Sequence, residues 1–397
     1  MLLPFSIFIQ VILFNRIARL SVFISSLLSI ARSLTAYFYP DLFPLSDMPR
    51  YWNDILYACA GYTNIFLFNY KSLGTFFGCN FLKSIRDINL IYTIIGCVFV
   101  SLILRLRYCI ENQANAPDQN NDEAILPIRK SLNLVTLLFI FDPCNLLFTT
   151  VLGKDVFQFG FMCSLIYLLL KPNKYSIFIF IPTLLICFYS RGYTFIFLSA
   201  ALLFSLFSPN LFLNIKFPFL HLKNFSNKLN IKLFFVSVIV TPLLFYLISY
   251  VLKNLTGGLD YEVIKSFYDG MNQQWAGSLT FPIGTPFPIK YLFFWILPMG
   301  IIQNATAGYV YSYSTILVLI LIFNILKNTL IINNIKLKIM FYSIIMYSLG
   351  WTSIAFNSGI STRHRFTVIV PILLIFEAIS RSNQKKMKSI TSINIIK

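Results

Sequence analysis

The sequence predicts an all-α, polytopic transmembrane helical bundle, a single integral membrane domain over residues 1–397. Hydrophobic residues make up 57% of the chain and charged residues 12%, about half the charged share of a soluble globular domain. The apolar residues fall in long, lightly interrupted runs, and mean hydropathy is +0.74. Lys and Arg collect between those runs rather than within them. Such surface would aggregate in water but is matched to a bilayer, so soluble folds are excluded.

A spanning helix needs roughly 17–25 predominantly apolar residues. Runs near 20–38, 89–106, 132–151, 156–170, 175–189, 192–207, 233–252, 309–326, 339–356 and 367–380 meet or approach that length. The stretch before Arg16 adds a further span or an interfacial helix, for about 10–11 spans in all. It lacks a basic leader and a small-residue cleavage site, so it reads as retained membrane sequence. Residues 55–70 and 291–302 are apolar but too short to cross, and the second follows a Pro/Gly-rich stretch at 281–288. Both are expected as re-entrant or interfacial helices on the outer face.

The net charge of +18 sets sidedness. Arg105, Arg107, Arg129 and Lys130 flank the loop 108–131, and Lys171 and Lys174 mark the next loop on that side. Lys216, Lys223, Lys228 and Lys232 fall in or beside 208–232. Lys327, Lys336 and Lys338 follow, then Arg381, Lys385, Lys386 and Lys388. Positive charge is retained in the cytoplasm, which places these loops and both termini there. The outer face then receives the first loop 39–88, the turn at Lys154 and Asp155, the turn at Arg191, the long segment 253–308, and residues 357–365. No basic domain stands outside the membrane, so nucleic acid is not an expected partner. The seven cysteines are scattered without a CxxC pair, most of them in or beside apolar runs, and read as small hydrophobes. With only two histidines, no metal site is expected.

Candidate chemistry lies on the outer face. Asp47 is either a general base or the N-cap of a helix starting near Pro49, with Trp52 beside it offering a stacking surface to a sugar ring. Lys154 and Asp155 occupy a very short turn, where they pair with each other or Lys154 meets a lipid phosphate. Asp142-Pro143 falls inside a span, where the proline would kink the helix and the carboxylate needs a partner. Arg191 sits between closely joined spans, and its planar, permanent charge suits a phosphate or pyrophosphate. Arg363, His364 and Arg365 precede the final span on a side that topology keeps poor in cations, which points to a bound anion. Trp275 lies in the long outer segment among Asp260, Glu262, Asp269, Gln273 and Gln274, a plausible carbohydrate surface.

This layout resembles the polyprenyl-phosphate-dependent glycosyltransferases of the C-type fold. The matching pieces are residues 47–52, 141–144 with 153–155, Ser190-Arg191, and 363–366 with Pro371. Chain size, the Phe/Ile/Asn-rich composition and the long late outer loop are more similar to O-antigen or capsule repeat-unit polymerases. Met48 follows Asp47 where other branches carry an acidic pair, which again favours the polymerases. The resemblance implies a donor glycan on undecaprenyl pyrophosphate and a single lipid-linked repeat unit as acceptor. It implies that Asp47 takes the proton of the attacking hydroxyl, while Arg191, Arg363, Arg365 and Lys154 stabilise the departing pyrophosphate. Trp52, His364 and Trp275 would touch sugar, no cofactor would be needed, and a chain-length regulator is a natural partner. The expected location is the inner membrane of a bacterium. A single-sugar transferase using a polyprenyl-monophosphate donor would keep the same fold. A flippase for lipid-linked oligosaccharide would instead need charged groups along a cavity open to both faces.

Overall fold

The computed structural model describes residues 16–39, 48–61, 79, 84–113, 133–149, 154–172, 174–208, 210–213, 286–296, 305–354 and 363–395, and these are mostly helical. In chain order they form α1 (Arg16–Phe38), α2 (Met48–Cys59), α3 (Ile85–Gln113), α4 (Leu134–Ile140), α5 (Pro143–Phe148) and α6 (Lys154–Leu170). There follow α7 (Lys174–Ser190), α8 (Tyr193–Phe207), β1 (Leu211–Leu213), α9 (Phe287–Ile296), α10 (Ala305–Lys327) and β2 (Leu330–Ile332). The last elements are α11 (Ile335–Ile354), a π-helical turn (Arg365–Ile369) and α12 (Val370–Ile395).

Apolar run length marks these helices well, because a run of that length closes its backbone hydrogen bonds within itself. Among the described residues, three helices are long and apolar enough to cross a membrane: Leu20–Phe38, Arg86–Glu111 and Arg365–Gln384. Ser176–Phe188, Thr194–Phe207 and Ser312–Lys327 are apolar but shorter. At 1.5 Å per residue, a helix the length of α7 or α8 is about 22–26 Å long, less than the roughly 30 Å hydrocarbon layer. Among the described residues, three of the expected spans meet length and hydropathy together. The span expected at 233–252 and the segment before Arg16 lie outside the described residues.

The run 132–151 is a broken helix, not a continuous span. Pro143 has no N–H to continue α4, and Asp142 turns out of helical geometry and caps α5 instead. Its Oδ1 accepts from the Cys144 amide at 2.8 Å. Side chains hold the break: Asn145 donates to the Phe139 carbonyl at 3.3 Å, and the Tyr313 hydroxyl to that of Leu138 at 3.1 Å.

Helix α12 and the π-turn form the hub. Of the apolar window in α12, 78% is buried, against 67% in α3 and 28% in α1, so α1 packs from the outside. Phe366 lies between the rings of Phe139 and Phe159, nearly parallel to both, at 6.2 and 5.5 Å. Helix α1 meets α3 through Ser21, Ser25, Ser26, Ser29 and Ser33, all buried. Small residues at this spacing let two helix backbones approach closely. Gly96 serves the same end on α3, since a Cβ there would lie 1.8 Å from the Thr149 carbonyl oxygen.

The segments after α8 and before α11, which charge assigns to one face, meet at one end of the bundle. There β1 and β2 pair antiparallel with Leu211 opposite Ile332, and Lys338 Nζ donates to the Ser208 carbonyl at 2.8 Å. Arg107 corrects its reading as a topology-setting loop residue. It is 1% exposed and pairs with Glu377 of α12, which also holds Arg381. Arg107 further donates to the Leu374 carbonyl at 2.7 Å and Thr136 Oγ1 at 3.2 Å, so its charge knits the bundle rather than anchoring a loop.

Two further readings change. Cys59 and Cys79 form a disulfide within the first loop, where the sequence suggested only scattered thiols. Helix α2 begins earlier than the apolar stretch 55–70 and ends at Cys59, just before Gly61, whose left-handed φ of 82° turns the chain away. It turns Ile55 and Ala58 inward and exposes Leu56 and Tyr57, as an interfacial helix does. Of the second such stretch, 291–302, the described part belongs to α9.

Candidate functional site: a charged cluster at one end of the bundle

Three segments remote in sequence converge on Asp155, in the first turn of α6. Arg191 comes from the tight turn between α7 and α8, held by its own amide on the Cys187 carbonyl at 2.7 Å. Arg363 comes from the turn before the π-helix. Asp155 Oδ1 accepts from Arg191 Nη2 at 2.9 Å, and Oδ2 accepts from Arg363 Nε at 2.6 Å and Nη2 at 2.5 Å. The side chains are 9% (Asp155), 12% (Arg191) and 18% (Arg363) exposed, so these charges meet largely out of water. Among the described residues two guanidiniums share this one carboxylate, and Lys154 adjoins it in sequence on α6. Burial opposes ionisation of Asp155, but the adjacent Arg363 and Arg191 outweigh it and hold the carboxyl below the ordinary range.

Behind the arginines lies a neutral hydrogen-bonded layer. His364 is 2% exposed and stacks on Trp351 with 3.5 Å between ring centroids and 10° between planes. Burial, reinforced by Arg191 and Arg363, pushes its pKa well below the usual value, so the imidazole is neutral. Its Nδ1 is 3.4 Å from the Tyr347 hydroxyl, which in turn bonds Gln158. Gln158 donates to Thr194 at 2.9 Å and accepts from Thr367 at 3.2 Å. This layer ties α6, α8, α11 and the π-turn together directly under the charged cluster.

The structure brings together Arg191 and Arg363, with Asp155 between them, and sends Arg365 elsewhere. Arg365 is fully buried and donates to the carbonyls of Phe294 at 2.8 Å and Trp295 at 3.4 Å, and to Thr315 Oγ1 at 2.6 Å. A cation on the last carbonyls of α9 complements the negative end of that helix. Residues two apart on a helical turn face different sides, which is why Arg363 and Arg365 part. Trp52 is half-buried and packs on the core from α2. His364 is placed under the arginines rather than at a surface open to sugar. Asp47 and Trp275 lie outside the described residues.

The sequence reading offered Asp155 a pair with Lys154, or Lys154 a lipid phosphate, and not two arginines for Asp155. Gln158, Tyr347, Trp351 and Thr367 were missed as well. The available signal was spacing: Asp155 and Gln158 lie three apart on α6, Tyr347 and Trp351 four apart on α11, hence on shared faces. Among the described residues, no group of three or more His, Cys, Asp or Glu could hold a metal ion. Compared with family models, curated proteins and solved structures, the chain has no match.

Proposed function

We propose that this protein is a membrane glycosyltransferase that joins undecaprenyl-pyrophosphate-linked repeat units into an O-antigen or capsular polysaccharide. One observation carries the reading: Arg191 and Arg363, distant in sequence, converge on Asp155 at one end of the bundle. A pyrophosphate group entering beside Asp155 would meet donors already oriented, and fixed donors in a water-poor site favour charge that develops as a leaving group departs. The acceptor hydroxyl attacks the anomeric carbon, the glycosidic C–O bond forms, and the donor C–O bond breaks with its electron pair on the pyrophosphate. The hydroxyl proton passes to a base, the role that the family resemblance gives to Asp47. Arg365, held on α9, positions the chain that carries Arg363 and does not touch the anion.

Sidedness has two supports. The positive-inside pattern places the first loop and the cluster on the same, outer face. The Cys59–Cys79 disulfide lies in that first loop, and disulfides persist where the environment is oxidising. Both favour a many-span protein of the bacterial inner membrane that works on its outer face with both termini in the cytoplasm.

Glycan profiling of a deletion strain, complemented with wild type or Arg363→Ala, tests the proposal. Complementation by wild type should restore a polymer ladder, and Arg363→Ala should leave a core bearing a single repeat unit. An unchanged ladder in the deletion strain rejects polymerase activity and leaves the single-sugar transferase as the better reading.

A further inference from the structure

The break between α4 and α5 leaves a set of buried oxygen atoms that the transferase reading does not use. Asp142, Asn145 and Ser314 are each fully buried. Asp142 spends Oδ1 on the Cys144 amide, while its Oδ2 has no hydrogen-bond partner. Asn145 donates through Nδ2 to the Phe139 carbonyl, while its Oδ1 likewise has none. The Ser314 hydroxyl, on α10, is also buried and is set against the Cys144 thiol of α5, to which it can give its proton while its oxygen lone pairs stay open. Helices α5 and α10 pack directly on each other, and Ser314 meets α5 at Cys144, between Asp142 and Asn145 in sequence.

Unmatched oxygens here are costly. A buried carboxylate oxygen without a donor loses its hydration and gains nothing in return. Arg365 is within electrostatic reach of Asp142, but its Nη atoms are engaged by the α9 carbonyls and Thr315. Its Nη hydrogen bonds therefore serve α9 and α10, its Nε makes none, and no hydrogen bond joins it to Asp142. Among the described residues, Arg365 and Cys144 are the ionisable groups that interact electrostatically with Asp142.

We infer that the α4–α5 break is a binding site for a desolvated alkali cation of sodium size, held by Asp142 Oδ2, Asn145 Oδ1 and Ser314 Oγ. The ligand set is hard and all oxygen, which suits an alkali cation and not a transition metal. Discontinuous membrane helices are also where unwound backbone and acidic side chains hold such ions. The site is separate from the Asp155 cluster, and its test does not depend on the glycan product.

The experiment uses the full-length protein purified in detergent, unfolded by heat in NaCl, KCl or choline chloride at equal ionic strength. Sodium should raise the wild-type midpoint saturably, by about 2–4 °C at large excess over Kd. Asp142→Asn keeps the helix cap, because Asn caps as well as Asp, and should abolish the sodium response. Ser314→Ala should shift the response to higher sodium. Equal wild-type midpoints in the three salts would overturn the inference without reference to any variant. So would a sodium response that survives Asp142→Asn, or one that acid reproduces in choline chloride, since that would make the ligand a proton.

Discussion

Each oxygen of Asp155 carries a guanidinium, so this carboxylate keeps Arg191 and Arg363 together. Asp155→Asn should destabilise the protein by about 3–5 kcal/mol, the usual result of removing one partner from a buried charge group. Thermal unfolding in detergent measures this, and inorganic pyrophosphate should recover part of the loss by taking the place of the carboxylate. Acid should act in two windows. His364 has a depressed pKa in the fold, so the unfolded chain takes up its proton first and stability falls as pH drops below about 6.5. The folded Asp155 is also depressed, so its contribution is complete above about pH 4 and is lost only as pH falls through its lower folded value. His364→Gln should flatten the upper window and leave the lower one. Asp155→Asn should do the reverse.

At the scale of elements, close approach is the most exposed point of the design. A methyl at Gly96 would fall 1.8 Å from the Thr149 backbone oxygen, which cannot rotate away. At Gly160 the obstruction is the Phe99 ring, 2.2 Å distant, and a side chain can repack. Gly96→Ala should therefore cost more than the roughly 1–3 kcal/mol of ordinary overpacking, and Gly160→Ala should be partly rescued by Phe99→Leu. Denaturation of the single and double variants decides this. Helix positions were legible because run length is a local property, and α6, α7 and α8 begin and end within two residues of their apolar runs. The broken helix was legible as a kink at Asp142-Pro143, but not as a cap, since capping depends on local backbone geometry. The cluster was legible only in part. Arg363 is 208 residues from Asp155, and no local pattern encodes such a pairing. Arg107 and Arg365 were misassigned because a charge count does not record which way a side chain points.

For the molecule as a whole, the same device appears at both ends: Asp155 between Arg191 and Arg363 at one, and Glu377 between Arg107 and Arg381 at the other. Impermeant maleimide applied to intact cells after mild reduction should label Cys59 and Cys79, and should leave the buried Cys97, Cys144, Cys163 and Cys187 unmodified. Labelling of the first loop only after the cells are opened would invert the proposed sidedness. The segment 363–381 supplies Arg363, Arg365, Glu377 and Arg381, a member of both charged groups and the clamp on α9. During synthesis the ribosome delivers it after every helix it must join, so Arg107 and Asp155 wait in the nascent chain without these partners. Until then the chain presents the mark of an orphaned membrane protein, buried charge groups that Arg191 and Glu111 neutralise only in part. Premature termination upstream of residue 363 should therefore yield a product that quality-control proteases clear, while late interruptions beyond 381 spare it. The arrival of one helix serves as the checkpoint for assembly.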